Sequence, residues 1–304
     1  METRSIPPLR DDDPHLGETR LVHVTTVIRH GARTPWSYNQ ECWEGYWDSE
    51  ETGIWNCDLT TMLAPPTPNH VKEEEDDHQL ETTNAMFLFE KKYDALADPK
   101  DGSMNELHGT CQVGQLLMQG YEQEIRNGQF LREAYLYDSQ NYNHDERMRL
   151  LDISFEKSSP WDRTNLHYRA DDDQRTLMSG QVLLRGLFGP EVTKEFAKTK
   201  VYPTIPVHTA DRSRDILDAN QNVCPRLATL EYDAEQSKEY QQFNSSLTAL
   251  ANRNFMANEL GKITNDEILD CLMTTMCTDR QLPEIINDYG NTTSWFRTLS
   301  EFVS

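Results

Sequence analysis

Near its start the chain carries an apolar, β-branched run, Leu21 to Ile28, that stops at Arg29-His30-Gly31-Ala32-Arg33-Thr34-Pro35. Leu21, Val22, Val24, Val27 and Ile28 read as a buried strand ending at Gly31. Ligands of open α/β sheets sit at the carboxyl ends of the strands, where this run delivers a histidine between two arginines. Two guanidiniums close to one imidazole are unfavourable unless a multi-oxygen anion neutralises them, and the planar guanidinium fork matches phosphate oxygens. Arg-rich turns also occur on solvated faces, and a lone histidine is more often structural. The strand in front is what turns the charge pattern into a candidate anion site.

Arg29-His30-Gly31-x-Arg33-x-Pro35 resembles the signature of the histidine acid phosphatases, a branch of the phosphoglycerate-mutase-like fold. A second segment, Tyr168-Arg169-Ala170-Asp171-Asp172-Asp173-Gln174-Arg175-Thr176-Leu177-Met178-Ser179, is similar to that family's second phosphate-binding segment, led by Arg169. Gly114-Gln115-Leu116 through Gln123, Gln181 to Phe188, Ile205-Pro206-Val207-His208-Thr209 and Cys224-Pro225-Arg226 follow the family's order. The resemblance spans about residues 21 to 300. It implies an α/β fold: a mainly parallel sheet flanked by helices, with a helical cap inserted.

One departure matters. The family carries a late His-Asp dipeptide whose Asp protonates the leaving group, and no such pair follows Arg169. The pair His144-Asp145 precedes Arg169 in a polar stretch and reads as a solvated loop. The sequence reaches Ser304 where the family's helical region would still be running. The expectation is therefore a truncated or split gene product lacking the C-terminal part of the sheet.

Along the chain, residues 1–20 read as a polar leader, and 21–209 as the α/β phosphatase domain with a long insertion at 36–110. Residues 210–304 read as the helical cap. The insertion holds Trp36, Trp43, Trp47 and Trp55 and the acidic run Glu73-Glu74-Glu75-Asp76-Asp77. Its length is more like the branch containing lysophosphatidic acid phosphatases than the compact prostatic type. Its aromatics could line a substrate mouth or staple a long loop to the body. Leu116, Leu117, Tyr121, Ile125 and Leu131 predict an amphipathic helix over Cys111 to Leu136. Leu177, Met178, Val182, Leu184 and Leu187 predict another, stopped by Gly189-Pro190.

At 304 residues the chain can bury a substantial core. No apolar run approaches the ~20 residues of a membrane span, and residues 1–20 lack the apolar centre of a secretory signal. A net charge of -22 argues against nucleic-acid partners. The six cysteines show no zinc spacing and permit disulfides or free thiols. Asn244-Ser245-Ser246 and Asn291-Thr292-Thr293 are glycosylation acceptors if the chain enters a secretory compartment. The resemblance implies a secreted or lysosomal/vacuolar protein, the absent signal a cytoplasmic one. The oligomeric state stays open.

The resemblance further implies that His30 attacks a small-molecule phosphomonoester, forming a phosphohistidine that water hydrolyses. Arg29, Arg33 and Arg169 would hold the phosphoryl oxygens, and His208 is either a substrate contact or a packing residue. No cofactor or metal is called for, because three arginines supply the charge and no carboxylate cage is evident. Without the proton donor, activated aryl esters should be turned over poorly and alkyl esters hardly at all, since general acid help is worth roughly 10²–10⁴-fold. Two alternatives remain: a catalytically inactive phosphate-ester-binding homologue or fragment, and a mutase of the same superfold, against which the Ile205–Thr209 and Cys224–Arg226 segments argue.

Overall fold

A computed structural model of the chain describes residues 6, 19–36, 54–57, 91–94, 105–136, 146–150, 165–199, 204–217, 219–245 and 265–280. Two long helices organise them: α1 (Met118–Tyr135) and α2 (Gln174–Thr199). α1 buries Gly120, Glu124 and Gly128, spaced by four and therefore on one face. A side chain at Gly128 would run into the Leu183 carbonyl oxygen and lie 2.9 Å from Gly186 Cα, and one at Gly186 would meet the Ile125 carbonyl. The helices thus touch backbone to backbone, which only glycine permits. Around this crossing Leu136, Leu183, Leu184, Leu187 and Phe188 form a buried cluster, with Leu131, Tyr135, Tyr168 and Ile205 packed against it. Each such burial stabilises by about 1.5–3 kcal/mol.

β1 (Tyr168–Arg169) and β2 (Val207–His208) pair in parallel, with Arg169 opposite His208. A parallel pair flanked by helices is compatible with an α/β fold. Further along, α3 (Arg226–Glu235) buries none of its residues, whereas α4 (Asn265–Cys277) buries Cys271, Leu272, Thr274 and Thr275. Both lie where the sequence reads as helical.

Three expectations are corrected. The run Leu21 to Ile28 is not a buried strand: Val22 and Val27 are 88% and 90% exposed. Among the described residues no strand lies beside it; Leu21 N–H donates to the Arg147 carbonyl at 2.9 Å. β-branched residues favour extended backbone but cannot bury themselves without a partner strand. The first helix begins at Met118 and not at Cys111, because Gly114 adopts a positive φ of 70° that no right-handed helix continues. The second runs through Gly189-Pro190 to Thr199. A proline inside a helix costs about 3 kcal/mol, which α2 outweighs with the packed turns that precede it.

Trp55 is 1% exposed, and the Arg280 guanidinium lies over its ring, 3.5 Å from the centroid. That tryptophan therefore staples its loop to the end of α4. A disulfide joins Cys57 to Cys111 on the same side, and Cys271 is disulfide-bonded too. Cys224 and Cys277 are free thiols. Asn244 is exposed. His144-Asp145, Trp43, Trp47, the acidic run at 73–77 and Asn291 lie outside the described residues.

Candidate active site

Residues 31–36 take their shape from the loop before α1. Arg33 and Leu116 form an isolated antiparallel bridge, Thr34 N–H donates to the Gln115 carbonyl at 2.9 Å, and Leu117 N–H donates to the Ala32 carbonyl at 3.0 Å. The Thr34 hydroxyl is fully buried; it donates to the Gln112 carbonyl at 2.7 Å and accepts from Gln115 N–H at 2.9 Å. Gly31 meets Gly120 so closely that a side chain on either would strike the other segment's backbone. Gly31 N–H donates to Ser179 Oγ at 3.1 Å and Ala32 N–H to Gln123 Oε1 at 2.9 Å. Both long helices therefore hold the loop by its backbone.

His30 sits at the entrance to this clasp, its Nδ1 2.8 Å from the Gly31 carbonyl oxygen. A carbonyl only accepts, so Nδ1 carries the proton and the neutral ring leaves Nε2 with a free lone pair. Burial first, and then the charges of Arg33, Arg175 and Arg29, lower its pKa to about 4 against the upward pull of that bond. A ring kept neutral near three arginines has the lone pair that a nucleophile needs, beside charges that suit an anion.

Arg33 donates through NH1 to the Thr34 carbonyl at 2.9 Å and through NH2 to Asp270 Oδ1 at 2.6 Å. The other oxygen of Asp270 accepts from Trp36 N–H at 2.6 Å, so one carboxylate of α4 ties down both ends of the loop's last turn. Arg29 is exposed, close enough for its charge to act on His30. Arg169 pairs at 2.7 Å with Asp215, which is buried; the Leu217 N–H at 2.9 Å and then Arg169 hold the Asp215 carboxyl below the usual range. His208 pairs by backbone with Arg169 and stacks its exposed ring on His167, centroids 4.4 Å apart.

Arg33 Nε, Arg175 Nε and Arg169 NH1 are buried donors without a partner. Such donors are costly and call for an acceptor-rich group. Among the described residues no group of three or more His, Cys, Asp or Glu is placed to hold a metal ion, and no helix is long and apolar enough to cross a membrane.

Sequence reasoning missed four members of this arrangement. Arg175 carries the clearest signal, lying six residues after Arg169 and at the start of α2. It is anchored by Asp173 at 2.5 Å and acts on His30. Ser179 lies one turn further along α2. Asp215 and Asp270 are isolated aspartates in an acidic chain and offer no local signal.

Comparison with known proteins gives the family of the chain. The model of the histidine phosphatase superfamily (branch 2) matches residues 20–304. Counting factor 60 of Dictyostelium discoideum is 25% identical over 268 residues, 87% of this chain and 55% of that protein. The rat lysosomal acid phosphatase is 31% identical over 167 residues, 54% of this chain and 35% of that enzyme. The human prostatic acid phosphatase is 30% identical over 131 residues, 42% of this chain and 29% of that enzyme. The matched stretches thus cover a third to a half of these relatives' own lengths. On the match of the family model across nearly its whole length, the chain belongs to the histidine phosphatase superfamily, branch 2.

Proposed function

We propose that the chain is an acid phosphatase that hydrolyses small phosphomonoesters through a phosphohistidine at His30. The observation that carries this reading is the neutral, partly buried imidazole near arginines of which Arg33, Arg175 and Arg169 keep a buried donor without a partner. His30 Nε2 attacks phosphorus, the bond to the leaving oxygen breaks, and its electron pair stays with that oxygen. Water then attacks phosphorus, the P–N bond breaks, and inorganic phosphate leaves. Arg29, Arg33, Arg169 and the added Arg175 neutralise the equatorial oxygens, where transition-state charge is spread. His208 pairs its strand with the one that carries Arg169, which supports a positioning role for it.

The leaving oxygen needs a proton when the alcohol is aliphatic. No His-Asp pair follows Arg169 in these 304 residues, and Asp215 and Asp270 are engaged with arginines. Esters of acidic phenols need no such proton and are therefore the substrates on which these residues can be tested alone. The acidic surface, the Cys57–Cys111 disulfide and the lysosomal enzymes among the relatives support an acid, oxidising compartment, lysosomal or extracellular.

Hydrolysis of p-nitrophenyl phosphate between about pH 4 and 7, beside His30→Ala and beside an alkyl phosphate, tests the reading. Turnover that disappears in the variant, and is far greater for the aryl ester, is the expected result. A folded chain that binds vanadate yet hydrolyses neither ester would instead be a phosphate-ester-binding protein.

A further inference from the structure

Beside the arginines lies a cavity of about 360 Å³, walled in part by Trp36, Tyr93, Asn105 and Arg175. Arg175 and Asp215 both line it, and Asp215 pairs at 2.7 Å with Arg169, so the cavity adjoins the arginine cluster. Trp36 joins the two as well, its backbone held by the Asp270 carboxylate that holds Arg33.

The polar groups of this region divide by type. Arg33 Nε, Arg169 NH1 and Arg175 Nε are unpartnered donors, which suit phosphate oxygens. On the cavity wall the unpartnered groups include two acceptors: Asn105 Oδ1, and Oδ2 of Asp215, whose side chain is 1% exposed. Unpartnered buried acceptors need a donor-rich ligand, and an ammonium offers three N–H donors and no acceptor. The charge balance points the same way, with five aspartates and three basic residues among the described lining. Trp36 adds an aromatic ring to the wall, and the Tyr93 ring already takes a cation, with Lys91 Nζ 5.4 Å from its centroid.

We propose that this cavity receives the leaving group of the phosphomonoester and selects one that carries a protonated amine on an aromatic or short aliphatic frame. The assignment rests on the phosphatase reading for the position of the phosphate, and goes beyond it in naming the class of alcohol. The phosphate lies on the unpartnered guanidinium donors. The ammonium reaches Asp215 and Asn105, with Asp94 at the rim.

A binding measurement separates this assignment from catalysis. Calorimetric titration at pH 6 compares 4-(aminomethyl)benzylphosphonate with 4-methylbenzylphosphonate, which match in size and cannot be hydrolysed. The amine should bind about tenfold more tightly, the scale of one desolvated cation contact. In Asp94→Asn, a change at an exposed side chain, the preference should fall to about threefold. Equal affinities, or a preference for the methyl compound, overturn the subsite, as does a preference unchanged both in Asp94→Asn and in Asn105→Leu. Turnover of p-nitrophenyl phosphate is read separately. A chain that prefers the amine but hydrolyses nothing keeps the subsite and loses the phosphatase reading.

Discussion

Asp270 lies 2.6 Å from Arg33 across 237 residues of chain and bonds Trp36 N–H through its second oxygen. Arg33 and Asp270 are both mostly buried, at 15% and 16% side-chain exposure. With NH1 on the Thr34 carbonyl and NH2 on Asp270, the guanidinium is oriented and its Nε is left for a ligand. Asp270→Ala should destabilise the chain by about 2 kcal/mol, the value of a charge-assisted bond plus a freed backbone donor. Asp270→Asn, which still accepts from Trp36 N–H, should lose about half of that. Urea unfolding of the pair checks this; equal losses would mean that the charge accounts for the whole effect, and no loss in Asp270→Asn would mean that it plays no part.

The His30 pKa of about 4 predicts an acid limb in the rate. Burial and the arginine charges favour the neutral ring, so the nucleophile is lost only when pH falls below about 4. Removing a positive charge makes protonation easier and moves the limb upward. Arg175→Met should therefore shift the imidazole midpoint toward 6.5, while burial keeps it short of that value. Imidazole titration by NMR measures the midpoint directly, and no upward movement would remove Arg175 from the site.

Gly128 and Gly189 should respond to alanine by different amounts. At Gly128 the new methyl meets the Leu183 carbonyl and Gly186, so Gly128→Ala should cost about 3 kcal/mol of stability. At Gly189 the nearest atom outside its chain neighbours is Arg185 Cγ at 4.0 Å. There the higher helix propensity of alanine is offset by the crowding of a Cβ before a proline, so Gly189→Ala should change stability by less than about 1 kcal/mol. Thermal unfolding of the two variants decides the point.

Cys57 and Cys111 are 54 residues apart, so their bond shortens a long loop in the unfolded chain. The chain-entropy estimate for a loop of this length is about 4 kcal/mol, and measured values commonly fall below it. Cys57→Ser with Cys111→Ser should accordingly lower unfolding stability by about 2–4 kcal/mol. The aryl phosphatase activity of the folded fraction should remain, because neither cysteine touches His30 or the arginines; a comparable loss of specific activity would count against this separation.

The sequence by itself determined what is chemically local. Arg29, His30 and Arg33 sit within five residues of one another, and their chemistry is legible from residue type and spacing alone. Helical periodicity likewise placed α1 and α2 to within a few residues in their middles. Their ends escaped it, because the positive φ of Gly114 and the packing that carries α2 past Pro190 belong to the folded chain. Tertiary structure alone decided which distant carboxylates meet the arginines: Asp270 reaches Arg33 and Asp215 reaches Arg169 from segments 237 and 46 residues away. It also decided that the run Leu21 to Ile28 lies exposed, where its β-branched pattern reads as buried. The physical reason is the same in each case. Propensity and spacing act within a turn or two of chain, whereas burial and ion pairing depend on partners that no local pattern specifies.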